Sequence, residues 1–275
     1  MTVLDAVTSP PVIGPPRYSL VSVAGTVTET LDRFISGLQW RPEPLRTEGS
    51  GDLGTWKVDA ANTAMSGASI SPYATGAAFG VWAGEVSSSI DGKWDELLAR
   101  VTRKLVTYES REIERQLWSD GLGINPSLKL AGTGSTLAGA SGGQTIARSI
   151  GIADRVIGDT WGRGMVHMRP ETLAGAVSAT VLTKEGNVWM TPAGNIVVAG
   201  AGYSGLSPAG SGSVGDDFIS VTPVVEVHRS NISTLPSEIR DGVDRSVNSL
   251  TVYAMRYVMV LWDYSAGSYH IRATY

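Results

Sequence analysis

The chain has 275 residues, 42% of them hydrophobic, and a formal charge of −4. That length and apolar content support one large domain or two small ones with a proper core, and the acidic balance argues against a protein that holds nucleic acid by neutralising phosphates. Without cysteine there is no disulfide framework, zinc-thiolate site or thiol nucleophile.

The first twenty residues, MTVLDAVTSPPVIGPPRYSL, lack a basic n-region and interrupt any apolar helix with prolines. They predict an extended arm, not a signal peptide. No apolar run reaches the roughly 18 residues that span a membrane. Residues 28–35 read as a short helix, and GLQWRP at 37–42 as the start of a strand cut off by Pro42 and Pro44. Residues 43–77 are small and polar, with glycine at 49, 51, 54, 67 and 76, before AFGVWAG at 78–84 offers a return strand. The two flanks predict a long β-hairpin projecting from the body; a connection of that length is functional or packs on another chain.

The clearest helix follows. Trp94, Leu97, Leu98, Val101, Leu105, Tyr108, Ile113 and Leu117 fall near an i, i+3, i+4, i+7 pattern, with Arg and Glu mostly on the other faces. Asp91 is the expected cap and Gly121 the stop. At 1.5 Å per residue such a helix runs about 37 Å, enough to cross the whole body. After a glycine-rich stretch at 122–143, further helices are expected at 144–157 and from Pro170, at N1, to about 182. Strands are expected around Ile196 and at 218–227, 249–261 and 268–275.

Two motifs invite chemistry. Residues 191–210, TPAGNIVVAGAGYSGLSPAG, place Gly200, Gly202 and Gly205 in a formal GxGxxG. A dinucleotide site needs a helix directly after the glycines and an acidic residue about 20 positions on. Here Pro208, Gly210 and Gly212 follow instead, and Asp216 and Asp217 come too early, so the stretch reads as a strand leading into a surface loop. Gly139, Ser141 and Gly143 match GxSxG ahead of a helix, which makes a serine hydrolase using Ser141 the enzymatic alternative. The preceding AGTGSTLA does not supply the strand that a nucleophile elbow requires. His167, His228 and His270 follow in permitted order without a visible partner and without metal-ligand spacing. No cofactor and no metal is expected. The acidic residues of the long helix stand beside arginines and read as a solvated or intersubunit charge lattice. Eight tryptophans against three phenylalanines, several flanking the expected elements, tilt toward extensive interfaces.

The order of elements resembles the major capsid proteins of tailed bacteriophages with the HK97-type fold. WDELLARVTRKLVTYESREIERQLWSDG at 94–121 is similar to that family's spine helix, and TPAGNIVVAGAGYSGLSPAG to a segment of capsid proteins from actinobacterial phages. VDRSVNSLTVYAMRYVMVLWDYSAGSYHIRATY at 243–275 is similar to the closing strands. The resemblance implies an α+β fold with an N-terminal arm (1–36), an extended loop (37–90), the spine helix of a peripheral domain (91–125), an axial domain (126–217) and a return to the peripheral domain (218–275). It implies a structural protein, not an enzyme, that self-assembles into hexamers and pentamers of an icosahedral shell. The shell encloses double-stranded DNA without specific binding, with scaffolding, portal and decoration proteins as further partners. It also implies assembly in a host cytoplasm, residence in the virion, and no membrane. An encapsulin-type compartment is the alternative on the same fold. Trp56, Lys57, Trp94, Arg111, Glu114 and Tyr203 are the expected intersubunit contacts, and the loop after Gly200 is expected near a capsomer's centre.

Overall fold

The computed structural model describes residues 16–36, 38–40, 74–76, 78–88, 94–119, 136–137, 143–204, 217–235, 243–244, 249–262 and 268–274. It opens with α1 (Leu20–Val23), β1 (Gly25–Glu29), α2 (Leu31–Ser36), β2 (Leu38–Trp40), β3 (Ala74–Gly76) and β4 (Phe79–Ser88). α3 (Trp94–Ser119), β5 (Thr136–Leu137), β6 (Gln144–Thr145), α4 (Ile146–Thr160), β7 (Met165–Met168) and α5 (Pro170–Ser178) follow. The rest is strand: β8 (Thr183–Glu185), β9 (Val188–Met190), β10 (Ile196–Ala199), β11 (Asp217–Thr222), β12 (Glu226–Ser230), β13 (Ser233–Leu235), β14 (Val243–Asp244), β15 (Ser249–Leu261) and β16 (Tyr269–Thr274).

Two sheets organise these elements. In the first, β15 is the central strand: β4 runs antiparallel along one side of it, and β12, β13 and β14 share the other, with β1 parallel to β12 at the margin. α3 lies across β4 and β15, and its stripe of Leu97, Val101, Leu105, Ile113 and Leu117 is buried against Phe79, Val81, Ala83, Val252 and Ala254. The second sheet runs β5-β16-β11-β7-β10-β9-β8, with β6 also on β16. Its strands β7 and β11 are buried on both faces, as a sheet covered on each side requires. Val166, Met168, Ile219 and Val221 face α4 and α5, while Met165, Val198 and Phe218 belong to the core around α3.

The structure departs from the sequence expectations at identifiable points. The short helix begins at Leu31, because Gly25–Glu29 forms β1 on β12. β2 pairs antiparallel with β3, as a hairpin would, whereas the expected return strand 78–84 is part of β4 and joins β15 instead. Residues 41–73 lie outside the described residues. The expected strand 218–227 is two strands in different sheets, broken where Pro223 cannot donate to a ladder. Helix α5 stops at Ser178, and Thr180 with φ 55° turns the chain so that Val181 N bonds Ala176 O at 3.3 Å.

Candidate functional site

α3 carries two acidic side chains expected with the arginines on its charged outer faces, and the structure corrects both: Glu109 is 3% and Glu114 1% exposed. A carboxylate taken from water is costly unless paired or hydrogen-bonded, so its partners define its role. Glu109 Oε1 accepts from Arg229 Nη1 at 2.6 Å, and Arg256 Nε lies 3.3 Å from Glu109 Oε2. These contacts fasten α3 to β12 and β15.

Glu114 is held by neutral donors. Its carboxylate accepts from the Leu20 amide at 2.9 Å, the Gly202 amide at 3.0 Å and the Ser110 hydroxyl at 3.2 Å. Burial pushes the carboxyl up to about 7, against the opposing pull of those three donors. Three elements meet on this one group: α1, α3, and the glycine turn that leaves β10. The glycines are needed for the approach. A Cβ on Gly202 would overlap the Arg111 carbonyl oxygen and stand 2.7 Å from Arg115 N, and one on Gly200 would stand 2.7 Å from Glu114 Cδ. Gly200 and Gly202 thus cradle a carboxyl group, but it is one of the same chain. Residues 205–216 lie outside the described residues.

Tyr203 follows Gly202 and is 4% exposed, with its ring 4.9 Å from that of Trp118. Its hydroxyl is 2.9 Å from His167 Nδ1, and His167 Nε2 is 2.8 Å from Thr222 Oγ1, which itself donates to Pro223 O at 2.8 Å. Because the Thr222 proton is committed, His167 carries its proton on Nε2 and accepts the Tyr203 hydroxyl at Nδ1. Burial keeps this imidazole neutral, lowered to about 3, and raises the Tyr203 hydroxyl further above its ordinary range. The network joins the α3 side of the second sheet to the glycine turn without a charge.

A second polar cluster accounts for the TPAGN run. Asp154 on α4 accepts from the Thr191 hydroxyl, from Asn195 Nδ2 at 2.8 Å and from the Ala193 amide at 3.2 Å, while Asn195 Oδ1 accepts from Gly164 N at 3.1 Å. The turn between β9 and β10 is clamped to α4.

Of the expected contact residues, Trp56 and Lys57 lie outside the described residues. Trp94 is half-buried against the core and Arg111 is exposed. Glu114 and Tyr203 are buried within this chain and occupied there. Ser141 lies outside the described residues, and the three histidines occupy separate environments. His270 Nδ1 meets Ser220 Oγ at 2.9 Å, but the pair is 3% and 0% exposed, and burial lowers the imidazole to about 4. His228 stands between Glu29 and Glu226, 3.4 Å from each. Among the described residues no His/Asp/Glu group is arranged to hold a metal ion, and no helix is long and apolar enough to cross a membrane.

Neither a protein-family model nor a curated protein sequence matches the chain. Solved structures match along nearly all of it. A chain of Microbacterium phage Oxtober96 is 11% identical with a TM-score of 0.57, covering 98% of this chain and 95% of its own. The capsid of the native GTA particle is 12% identical, TM-score 0.55, with 99% and 96% covered. The holo-SrpI encapsulin complex of Synechococcus elongatus is 11% identical, TM-score 0.54, with 96% and 91% covered. Identities this low carry no residue-by-residue correspondence, but coverage in both directions shows a shared fold. The chain shares the mixed α+β, HK97-type fold of those structures.

Proposed function

We propose that the chain is a structural shell protein, the major capsid protein of a tailed phage, assembling through hexamers and pentamers into an icosahedral container for double-stranded DNA. The observation that carries this reading is the end-to-end likeness to the GTA capsid and to phage chains. In it, α3 and the first sheet form the peripheral domain, and the second sheet with α4 and α5 forms the core of the axial domain. Residues 1–36 are the arm, which lends β1 to the first sheet, and 37–90 the extended loop, which lends it β4, while β11 and β16 cross from the closing segment 218–275 into the second sheet. A formal charge of −4 suits a wall that does not grip the DNA it encloses. Scaffolding, portal and decoration proteins are the expected partners, and the virion the final location. The buried polar groups around α3 and α4 serve architecture, and no catalytic step is assigned.

The likeness to the SrpI encapsulin supports a second reading, a compartment that encloses a protein cargo. Electron microscopy of the expressed protein, alone and with its scaffold, tests the class. Closed shells tens of nanometres across are expected. A monomer under every condition overturns the proposal, and shells filled with an enzyme select the second reading.

A further inference from the structure

The exposed face of α3 carries charge of one sign. At about 100° per residue, Arg100, Lys104, Tyr108, Arg111 and Arg115 fall within about 80° of the helix circumference, along about 22 Å of its length. All five are exposed: the Arg100 and Arg115 side chains to 60% and 58%, Tyr108 to 54%, and Lys104 and Arg111 likewise. The acids of the helix, Asp95, Glu96, Glu109, Glu112 and Glu114, all lie outside that arc, and Glu109 and Glu114 are buried. Two of the cations reach an acid from its border, Arg100 to Glu85 at 2.7 Å and Arg115 to Glu112 at 2.5 Å. Lys104 Nζ donates to the Gly84 carbonyl at 3.2 Å, which positions the ammonium without cancelling its charge. Neither Lys104 nor Arg111 has an acidic partner among the described residues.

In a chain of formal charge −4 this stripe is a local reversal, and its composition selects the partner. An interface with another protein buries an apolar core depleted of charge and anchored by large side chains in pockets. The stripe has four cations and one aromatic, so an acidic protein segment would find charge there but no apolar anchor. Contacts with DNA are polar and strongly positive instead. Duplex DNA presents about one negative charge per 1.7 Å of axis. A straight cationic row about 22 Å long therefore meets more phosphates than it has cations wherever it lands, and the Tyr108 hydroxyl at its middle can donate to a phosphate oxygen.

We infer that the face of α3 bearing Arg100, Lys104, Tyr108, Arg111 and Arg115 is a sequence-independent contact for the phosphate backbone of double-stranded DNA. The choice of DNA rests on the shell reading, and adds to it that this face looks into the lumen. At most four charges per subunit make each contact weak and salt-sensitive, in keeping with a wall whose overall charge repels what it encloses.

Fluorescence anisotropy of a labelled duplex of about 20 base pairs, titrated with dispersed full-length subunits from about 50 to 200 mM salt, tests the stripe. The double variant Lys104→Gln with Arg111→Gln should bind about tenfold more weakly at low salt and lower the slope of log K against log salt by about 2. Arg148→Gln with Arg163→Gln removes the same charge from exposed positions off α3 and should change affinity less than about twofold. Equal losses in the two variants overturn the inference, as does a duplex that the unmodified chain does not bind. In DNA-filled shells, p-benzoylphenylalanine at Tyr108 should give a nuclease-sensitive adduct on irradiation, and adducts to protein alone overturn the inference. Failure of the unmodified chain to form shells under any condition would instead overturn the function it rests on, while the subunit titration still decides the stripe.

Discussion

Glu114 on the long helix and Gly202 on the turn after β10 are 88 positions apart in sequence, and the amide of the second donates to the carboxylate of the first at 3.0 Å. The contact exists because Gly202 has no side chain: a Cβ there would enter the backbone of α3. Gly202→Ala should therefore destabilise the subunit by about 3 kcal/mol, in the range of overpacked sites. Gly158→Ala, on the exposed face of α4 with open space around it, should instead stabilise by about 0.5–1 kcal/mol. Chemical denaturation of dispersed subunits measures both. Equal and small effects would detach the glycine turn from the helix.

Acid should act on this fold through opposing groups. The Glu114 carboxyl is raised to about 7 in the folded state, so the folded state holds a proton that the unfolded chain releases above about 4.5, and this group alone adds stability as pH falls through that window. His167 and His270 are lowered to about 3 and about 4, so below about 6.5 the unfolded chain binds protons that the folded one refuses, and each removes stability as pH falls. With one group gaining and two losing, stability should fall by about 1.4 kcal/mol per pH unit between about 6.5 and 4.5. Glu114→Gln should roughly double that slope. Unfolding titrations at pH 5 and 6.5 read it directly, and an unchanged slope in the variant would show that Glu114 does not titrate there.

The other buried acid of α3 answers to charge. Glu109→Ala leaves Arg229 and Arg256 close together and unmatched, and should cost about 3 kcal/mol or more. Glu112→Ala removes the partner of Arg115 on the outer face and should cost less than about 1 kcal/mol. Matching losses would place the two acids in equivalent surroundings.

Asp154→Ala strips the turn between β9 and β10 of the acceptor for Thr191, Ala193 and Asn195. The expected loss is about 2 kcal/mol, accompanied by faster hydrogen exchange at residues 191–195 while α3 amides keep their protection. Unaltered exchange in the turn would show that Asp154 does not hold it.

The long helix was legible because large apolar side chains recur at helical spacing over many turns only where a helix lays one face on a core. The same stripe contained a signal that a simple division into apolar and charged faces discards. Glu109 stands four residues after Leu105 and four before Ile113, inside the buried row, so its position already demanded a buried partner. Those partners, Arg229 and Arg256, are distant in sequence and carry no local mark. The glycine run was legible as a close approach, while what it approached was not, since that depends on two segments meeting in space. Pro223 could have divided the expected strand 218–227, because a residue without an amide hydrogen ends a ladder. The pairing of β4 with β15 rests on register over a long separation, which local pattern does not encode.

β15 stands at the centre of the first sheet and also late in the order of synthesis. Until Ser249–Leu261 has emerged from the ribosome, β4 and β12 have no strand between them, and the apolar row of α3 has no completed surface to rest on. Pairings across so much intervening chain close slowly. The apolar row of the longest helix thus waits through the whole of α4, α5 and the strands between them before its partner strand arrives.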